Sequence, residues 1–226
     1  MTYLRELHPD KVNISPSLPQ SLPNLSSLTS LSLFGCNLQG EFLSNIFLLP
    51  KIQAIDLSFN QDLVGFLPKF QSCSSLKKFD LYATKFSGKL PISIGNLKSL
   101  NYLDLGSSNV LGPIPPSIGN LSQLTHLWLS SNNFNGQLPS TIRNLAKLSF
   151  LVLDEILNYQ EVPSFLQNFT QLELLSLANN NFGCSFPIWL TNITLLRSIN
   201  FYGNQLKGPI PSNISRLPNL FALIFS

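Results

Sequence analysis

Apolar and polar positions along this chain follow a period far longer than a helical turn or a strand pleat. From Leu121 it reads LSQLTHLWLSSNNFNGQLPSTIRN, and the same spacing restarts at Leu145. The register holds at residues 1, 25, 49, 73, 97, 121, 145, 169, 193 and 217. Nine 24-residue repeats therefore fill residues 1–216, and residues 217–226 begin another. Apolar side chains recur at repeat positions 1, 4, 7, 9, 14, 18 and 22. Leu124, Leu127, Leu129, Phe134, Leu138 and Ile142 fill this frame in one copy; Leu196, Ile199, Phe201, Leu206, Ile210 and Ile214 fill it in another. Positions 7 and 9 alternate with polar neighbours, as in a strand with one buried face. One such unit cannot bury its apolar face alone. Coils must stack, which sets their strands side by side in one parallel sheet, about 4.8 Å apart.

A repeat of this length and leucine spacing is a leucine-rich repeat. The expected fold is an α/β solenoid: a curved right-handed superhelix with a parallel β-sheet on the concave face, and short second strands and 3-10 or loop segments on the convex side. The expected organisation is a single domain over 1–226, uncapped at both ends, with apolar coil faces that promote end-to-end association. Position 12 is Asn at Asn60, Asn132, Asn180 and Asn204, where a buried amide can bond the turn and the neighbouring coil. Cys36, Thr84 and Ser108 are small stand-ins, whereas Val12 and Ile156 predict weak points in that ladder. Position 16 is usually Gly, suited to a tight bend. Position 19 is usually Pro, which ends any second strand. In the repeat at 49–72 the segment QDLVGFLP runs one residue late, predicting a local bulge.

Composition narrows the function. Only 11% of residues are charged and 44% are hydrophobic, which excludes disorder. The net charge of +3 is spread out, so no nucleic-acid footprint is present. No apolar stretch approaches the roughly 20 residues that cross a bilayer, and no apolar signal-peptide core follows Met1. Cys36, Cys73 and Cys184 cannot all pair; buried free thiols are expected, and no spacing suggests a metal site. No cofactor is expected. The two histidines, His8 and His126, lie five coils apart, about 24 Å at strand spacing, so they cannot share a proton relay. His126 and Asp104 fall on adjacent strands with Ser130 nearby, but a flat open sheet offers no water-excluding pocket or oxyanion site. A non-enzyme is expected.

The segments Leu111-Gly112-Pro113-Ile114-Pro115 and Lys207-Gly208-Pro209-Ile210-Pro211 resemble the plant-specific class of leucine-rich repeat. The stretch from Thr84 to Pro91, then Ser93-Ile94-Gly95-Asn96-Leu97, with Leu38-Gln39-Gly40-Glu41-Phe42 and Phe59-Asn60-Gln61-Asp62-Leu63, resembles plant receptor-like proteins of the disease-resistance type. The resemblance covers essentially the whole chain. It implies an ectodomain on the extracellular face of the plasma membrane, part of a longer receptor, that binds a peptide or protein ligand and signals through partner receptor kinases. It also implies that specificity lies in the variable strand positions. The family's signal peptide, cysteine-paired caps, membrane helix and tail have no counterpart in these 226 residues. The rival readings are a secreted inhibitor of a cell-wall-degrading enzyme built on the same repeat, or a truncated receptor fragment without a role.

Stacking puts equal repeat positions side by side. Position 6 gives Lys78, Tyr102, His126 and Phe150; position 8 gives Asp56, Asp80, Asp104 and Trp128; position 10 adds Tyr82. All are expected to face out on the concave side. The candidate ligand-binding set is Lys78, Asp80, Tyr82, Tyr102, Asp104, His126, Trp128 and Phe150, because exposed aromatics beside adaptable polar groups suit peptide capture. The aspartates also fit a bland reading as part of the repeat frame. Sequons at Asn13, Asn24, Asn120, Asn168, Asn192 and Asn213 are candidate glycosylation sites, four of them at position 24.

Overall fold

The computed structural model describes residues 3–14, 18–156 and 159–225. Short strands at repeat positions 6–8 form one ten-stranded sheet, every neighbour parallel and in sequence order, from Glu6–Leu7 to Ala222–Ile224. Partners lie one repeat apart, as in His126↔Phe150 and Leu127↔Leu151. This sheet lines the concave face of the superhelix. Leu31, Ile55, Phe79, Leu103, Leu127 and Leu151, at position 7, are completely buried, and position 9 is buried beside them from Leu33 to Phe201. The core is thus a continuous spine of apolar side chains shared between coils.

Where position 12 is Asn, its side chain binds the coil to the one before. Asn60 Nδ2 donates to the carbonyls of Leu33 and Leu57, both at 2.8 Å, and its Oδ1 accepts the Leu38 N–H at 3.0 Å. Asn132 and Asn204 repeat the arrangement. Thr84 and Ser108 both donate to the Leu81 carbonyl, and Cys36 Sγ reaches that of Pro9. Val12 is exposed and Ile156 buried without a polar group, as their chemistry dictates.

One ladder left no trace in the sequence. Position 11 has positive φ in all nine coils: Lys11, Gly35, Phe59, Ala83, Ser107, Ser131, Glu155, Asn179 and Gly203, between 49° and 68°. Only three are Gly or Asn, the residues that tolerate this region at low cost, so the bend is imposed by the coil rather than chosen locally.

Among the described residues the second strands form a five-stranded lateral sheet of Gln39–Glu41, Asp62–Phe66, Lys85–Lys89, Asn109–Pro113 and Asn133–Asn135. The bulge in the 49–72 coil appears as a register slip. Gln39 pairs with Asp62 and Val64 with Lys85, whereas Ser87 pairs with Asn109. Leu63 takes the buried role, Phe66 turns to solvent, and Phe70 restores the frame. Elsewhere a 3-10 turn closes the coil. Position-19 prolines do more than end a strand: the carbonyls of Pro91, Pro115, Pro139, Pro163, Pro187 and Pro211 each accept the N–H three residues on and open that turn. The expectation of three buried thiols needs correction. Cys36 is buried, Cys184 is half-buried and Cys73 is exposed, because the preceding coil, 49–72, lacks the 3-10 turn that leads into a buried position 1 in most other coils; all three are free.

Candidate functional site

Four adjacent strands, Lys78–Asp80, Tyr102–Asp104, His126–Trp128 and Phe150–Val152, bring the candidate residues into register. His126 stacks face to face on Phe150, centroids 4.4 Å apart and planes 8° from parallel. Tyr102 packs 5.4 Å from His126 and edge-on to Trp128 at 5.1 Å. Lys78 holds its ammonium 5.3 Å from the Tyr102 ring centre, 2.6 Å from Asp56 and 3.8 Å from Asp80. Tyr82 stands apart from this cluster and packs on Phe59 at 5.1 Å, which in turn meets Phe34 at 5.1 Å. Between the two aromatic runs lies a groove of about 560 Å³, with Asp56, Asp80 and Asp104 among its lining residues.

Phe34 and Phe59 are the members that sequence reading missed. Phe34 shares position 10 with Tyr82, so that column carried the signal. Phe59 occupies position 11, and only the positive φ of 58° turns it toward the groove that it lines.

The aspartates depart from the expectation that position 8 lies open. Asp80 and Asp104 are only 6% and 4% exposed. Each folds back to accept a backbone N–H two residues on, from Tyr82 at 3.1 Å and Gly106 at 2.7 Å, and Asp56 does the same with Ser58 at 3.1 Å. The bland frame role is therefore present, and large neighbours cover what remains. Burial, with Asp56 nearby, raises Asp80 to about 6. Burial, offset by the Gly106 N–H and reinforced by Asp80 and Asp56, raises Asp104 to about 7. The Tyr102 phenol is pushed up by burial and by Asp80 and Asp104, so it stays protonated and bonds the Asp80 carboxylate. Burial lowers His126, which keeps it neutral at pH 7.

No relay forms between His126 and Asp104. The register partner of Asp104 is Trp128; His126 faces Tyr102 and Phe150 and shares a 2.8 Å hydrogen bond with Thr125. Ser130 Oγ accepts the Asp154 N–H at 2.9 Å. Among the described residues no cluster of His, Cys, Asp and Glu has the geometry to hold a metal, and no helix is long and apolar enough to cross a membrane. The sequons Asn24, Asn120, Asn168 and Asn192 sit exposed at the last residue of a 3-10 turn, away from the groove. Asn13 is exposed, with Ser15 of its sequon outside the described residues, and Asn213 is half-buried inside a turn.

The family described as "Leucine-rich repeat region" matches residues 57–220. The chain belongs to this leucine-rich-repeat family. Over 97 residues, 43% of the chain, it is 45% identical to Receptor-like protein 6 of Arabidopsis thaliana, of which that stretch is 10%. Over 102 residues, 44% of the chain, it is 34% identical to Receptor-like protein Cf-9 of Solanum pimpinellifolium, of which that stretch is 12%. The chain thus spans about a tenth of the length of these curated relatives. Among solved structures, the Arabidopsis receptor kinase HAESA, in complex with the peptide hormone IDA and the co-receptor SERK1, superposes with a TM-score of 0.87 at 28% identity. That match covers 97% of this chain and 37% of that one. This leucine-rich-repeat chain is therefore a stretch of receptor-ectodomain type.

Proposed function

We propose that this stretch is a non-catalytic recognition segment of a plant cell-surface immune receptor, binding a peptide or protein ligand on its concave face and signalling through a partner receptor kinase. The observation that carries the reading is the groove itself: aromatic side chains and a charged pair gathered on adjacent coils, at positions where the apolar frame demands nothing. The similarity to receptor-like proteins, and to an ectodomain whose structure holds a peptide hormone and a co-receptor, supports the same reading. Extracellular placement follows from it, as does glycosylation at Asn13, Asn24, Asn120, Asn168, Asn192 and Asn213. Aromatic anchors at the centre of an interface carry most of its energy.

The test replaces Lys78, Tyr82, Tyr102, His126, Trp128 and Phe150 by Ala, one at a time, in the full-length receptor that carries this stretch. Loss of Trp128 or Tyr102 is expected to weaken the response by about 2 kcal/mol or more in ligand affinity, with folding verified by circular dichroism. Unchanged responses from folded variants would move the binding site to a flank or to other coils.

A further inference from the structure

The groove has an unbalanced charge. Asp56, Asp80 and Asp104 are direct neighbours across three strands. Among the described residues Lys78 is the one cation paired with them, and it reaches Asp56 at 2.6 Å and Asp80 at 3.8 Å. Asp104 is served only through one oxygen, by the Gly106 N–H. A buried carboxylate normally finds a cation or a full set of donors. Trp128, which lines the same cavity, carries a second unmet group. The indole N–H of Trp128 is, among the described residues, the one buried side-chain nitrogen or oxygen without a hydrogen-bond partner. Such a group in a native fold calls for an explanation.

The walls suit a cation as well. Lys78 already shows the pairing this surface favours: an ammonium between a carboxylate and the face of Tyr102. One coil further on, Asp104 lies among Tyr82, Tyr102 and Trp128 with no such side chain supplied by the protein. Gly106 keeps the space open there, since a Cβ on it would come within 3.1 Å of Asp104 Oδ1 and 3.2 Å of the Tyr82 ring. The cavity of about 560 Å³ falls within the range of ligand pockets.

We propose that this groove seats a cationic side chain of an extended peptide, its ammonium or guanidinium over Asp104 and Asp80 between Tyr82, Tyr102 and Trp128, while a peptide carbonyl takes the Trp128 indole N–H. The proposal rests on the concave-face reading above and names the ligand class for it. An acidic ligand is excluded by the same charges, and a free amine lacks the carbonyl that Trp128 can use. Cation binding needs the ionised carboxylates. With burial holding Asp80 near 6 and Asp104 near 7, affinity rises with pH across that interval. The other titratable groups on the strands packed here are Asp56, Lys78, Tyr82, Tyr102 and His126, with Asp154 at the following coil. His126, neutral at pH 7, adds no competing charge there.

The experiment titrates the intact chain with the capped peptide acetyl-Ala-Ala-Arg-Ala-Ala-amide, and with versions carrying Lys, citrulline or Glu in place of Arg. The readout is the indole 1H–15N signal of Trp128, assigned with Trp128→Phe. Arg and Lys peptides are expected to shift that signal, at least tenfold more tightly at pH 7.5 than at pH 5. Citrulline and Glu peptides leave it in place, and Asp104→Asn, which retains the acceptor for Gly106, removes both binding and pH dependence. Citrulline binding as well as Arg, no shift with Arg at 10 mM, or full binding by Asp104→Asn would each overturn the proposal. The concave-face reading fails separately. If alanine at Trp128 or Tyr102 abolishes the receptor response while Asp104→Asn leaves it intact, the face binds the ligand but not through a cation.

Discussion

Asp104 and Asp80 hold their carboxyl groups where ionisation is unfavourable, and that has a consequence for stability. Both take up protons near 6–7 in the fold and near 3.8 when unfolded. Between those values the unfolded chain binds fewer protons, so stability falls as pH rises from about 4 to about 7. The sign is opposite to that of a salt-bridged aspartate. The loss over that interval is on the order of a few kcal/mol for the pair. Asp104→Asn should flatten the slope and leave the variant more stable than the parent at pH 8, because the amide oxygen still accepts the Gly106 N–H without a buried charge. Thermal melts from pH 4 to 8 decide it, and a variant that melts lower at pH 8 contradicts this account. The candidate cluster itself was legible residue by residue: Tyr102, His126 and Phe150 share one frame position, so adjacency in space follows from the period. What the spacing did not carry was depth. Position 8 alternates outward like positions 6 and 10, yet Lys78, Tyr82, Tyr102 and Trp128 are long enough to fold over it and bury the aspartates.

At the scale of elements, the concave strands were readable because two leucines per copy alternate with polar residues, and the convex 3-10 segments were expected with the repeat class; what was not readable is how closely those turns stack. Gly95 and Gly119 occupy position 23 of two successive 3-10 turns, Ile92–Asn96 and Pro116–Asn120, and neither has positive φ. Their role is proximity. A Cβ on Gly95 would lie 2.6 Å from the Ser117 carbonyl oxygen, and one on Gly119 would press on the carbonyl of Thr141. Backbone cannot yield as a flexible side chain can, so these glycines set how closely the turns stack. Gly119→Ala is expected to destabilise the chain by about 1–3 kcal/mol, although alanine favours helical turns over glycine. Urea unfolding measures it; an unchanged midpoint would mean that the turns slide apart freely. The same reasoning explains the unread ladder at position 11. Lys, Phe, Ala, Ser and Glu all accept positive φ there, so no residue type marks the bend, and Phe59 reached the groove unannounced.

A stacked solenoid is a chain of nearest-neighbour interfaces, and it opens where one interface is weakest. Among the interior junctions, the one between the coils at 121–144 and 145–168 has no hydrogen-bonding side chain at position 12. In a complete junction the position-12 Asn bonds the carbonyls of position 9 in its own coil and in the preceding one, as Asn204 does with Phe201 and Leu177. Ile156 supplies neither bond, so the Leu129 carbonyl receives only Asn132 of its own coil. Among the described residues the lateral sheet also ends at Asn133–Asn135. The concave side remains joined, by the parallel strands, the His126–Phe150 stack and the Asp154 N–H to Ser130 bond. On the lateral side, Tyr159 reaches back and its hydroxyl accepts the Leu138 N–H. Tyr159→Phe should leave a buried N–H unpaired at a cost of about 1–3 kcal/mol, felt at this junction and not along the whole chain. Hydrogen exchange followed by mass spectrometry tests it under native conditions. Peptides covering Asn133–Leu148 and Tyr159–Leu172 should exchange faster in the variant, while those covering Lys78–Ile118 keep their protection. Uniform acceleration across all coils would mean that the stack opens as one unit, and that the break in the Asn ladder at Ile156 has no local effect.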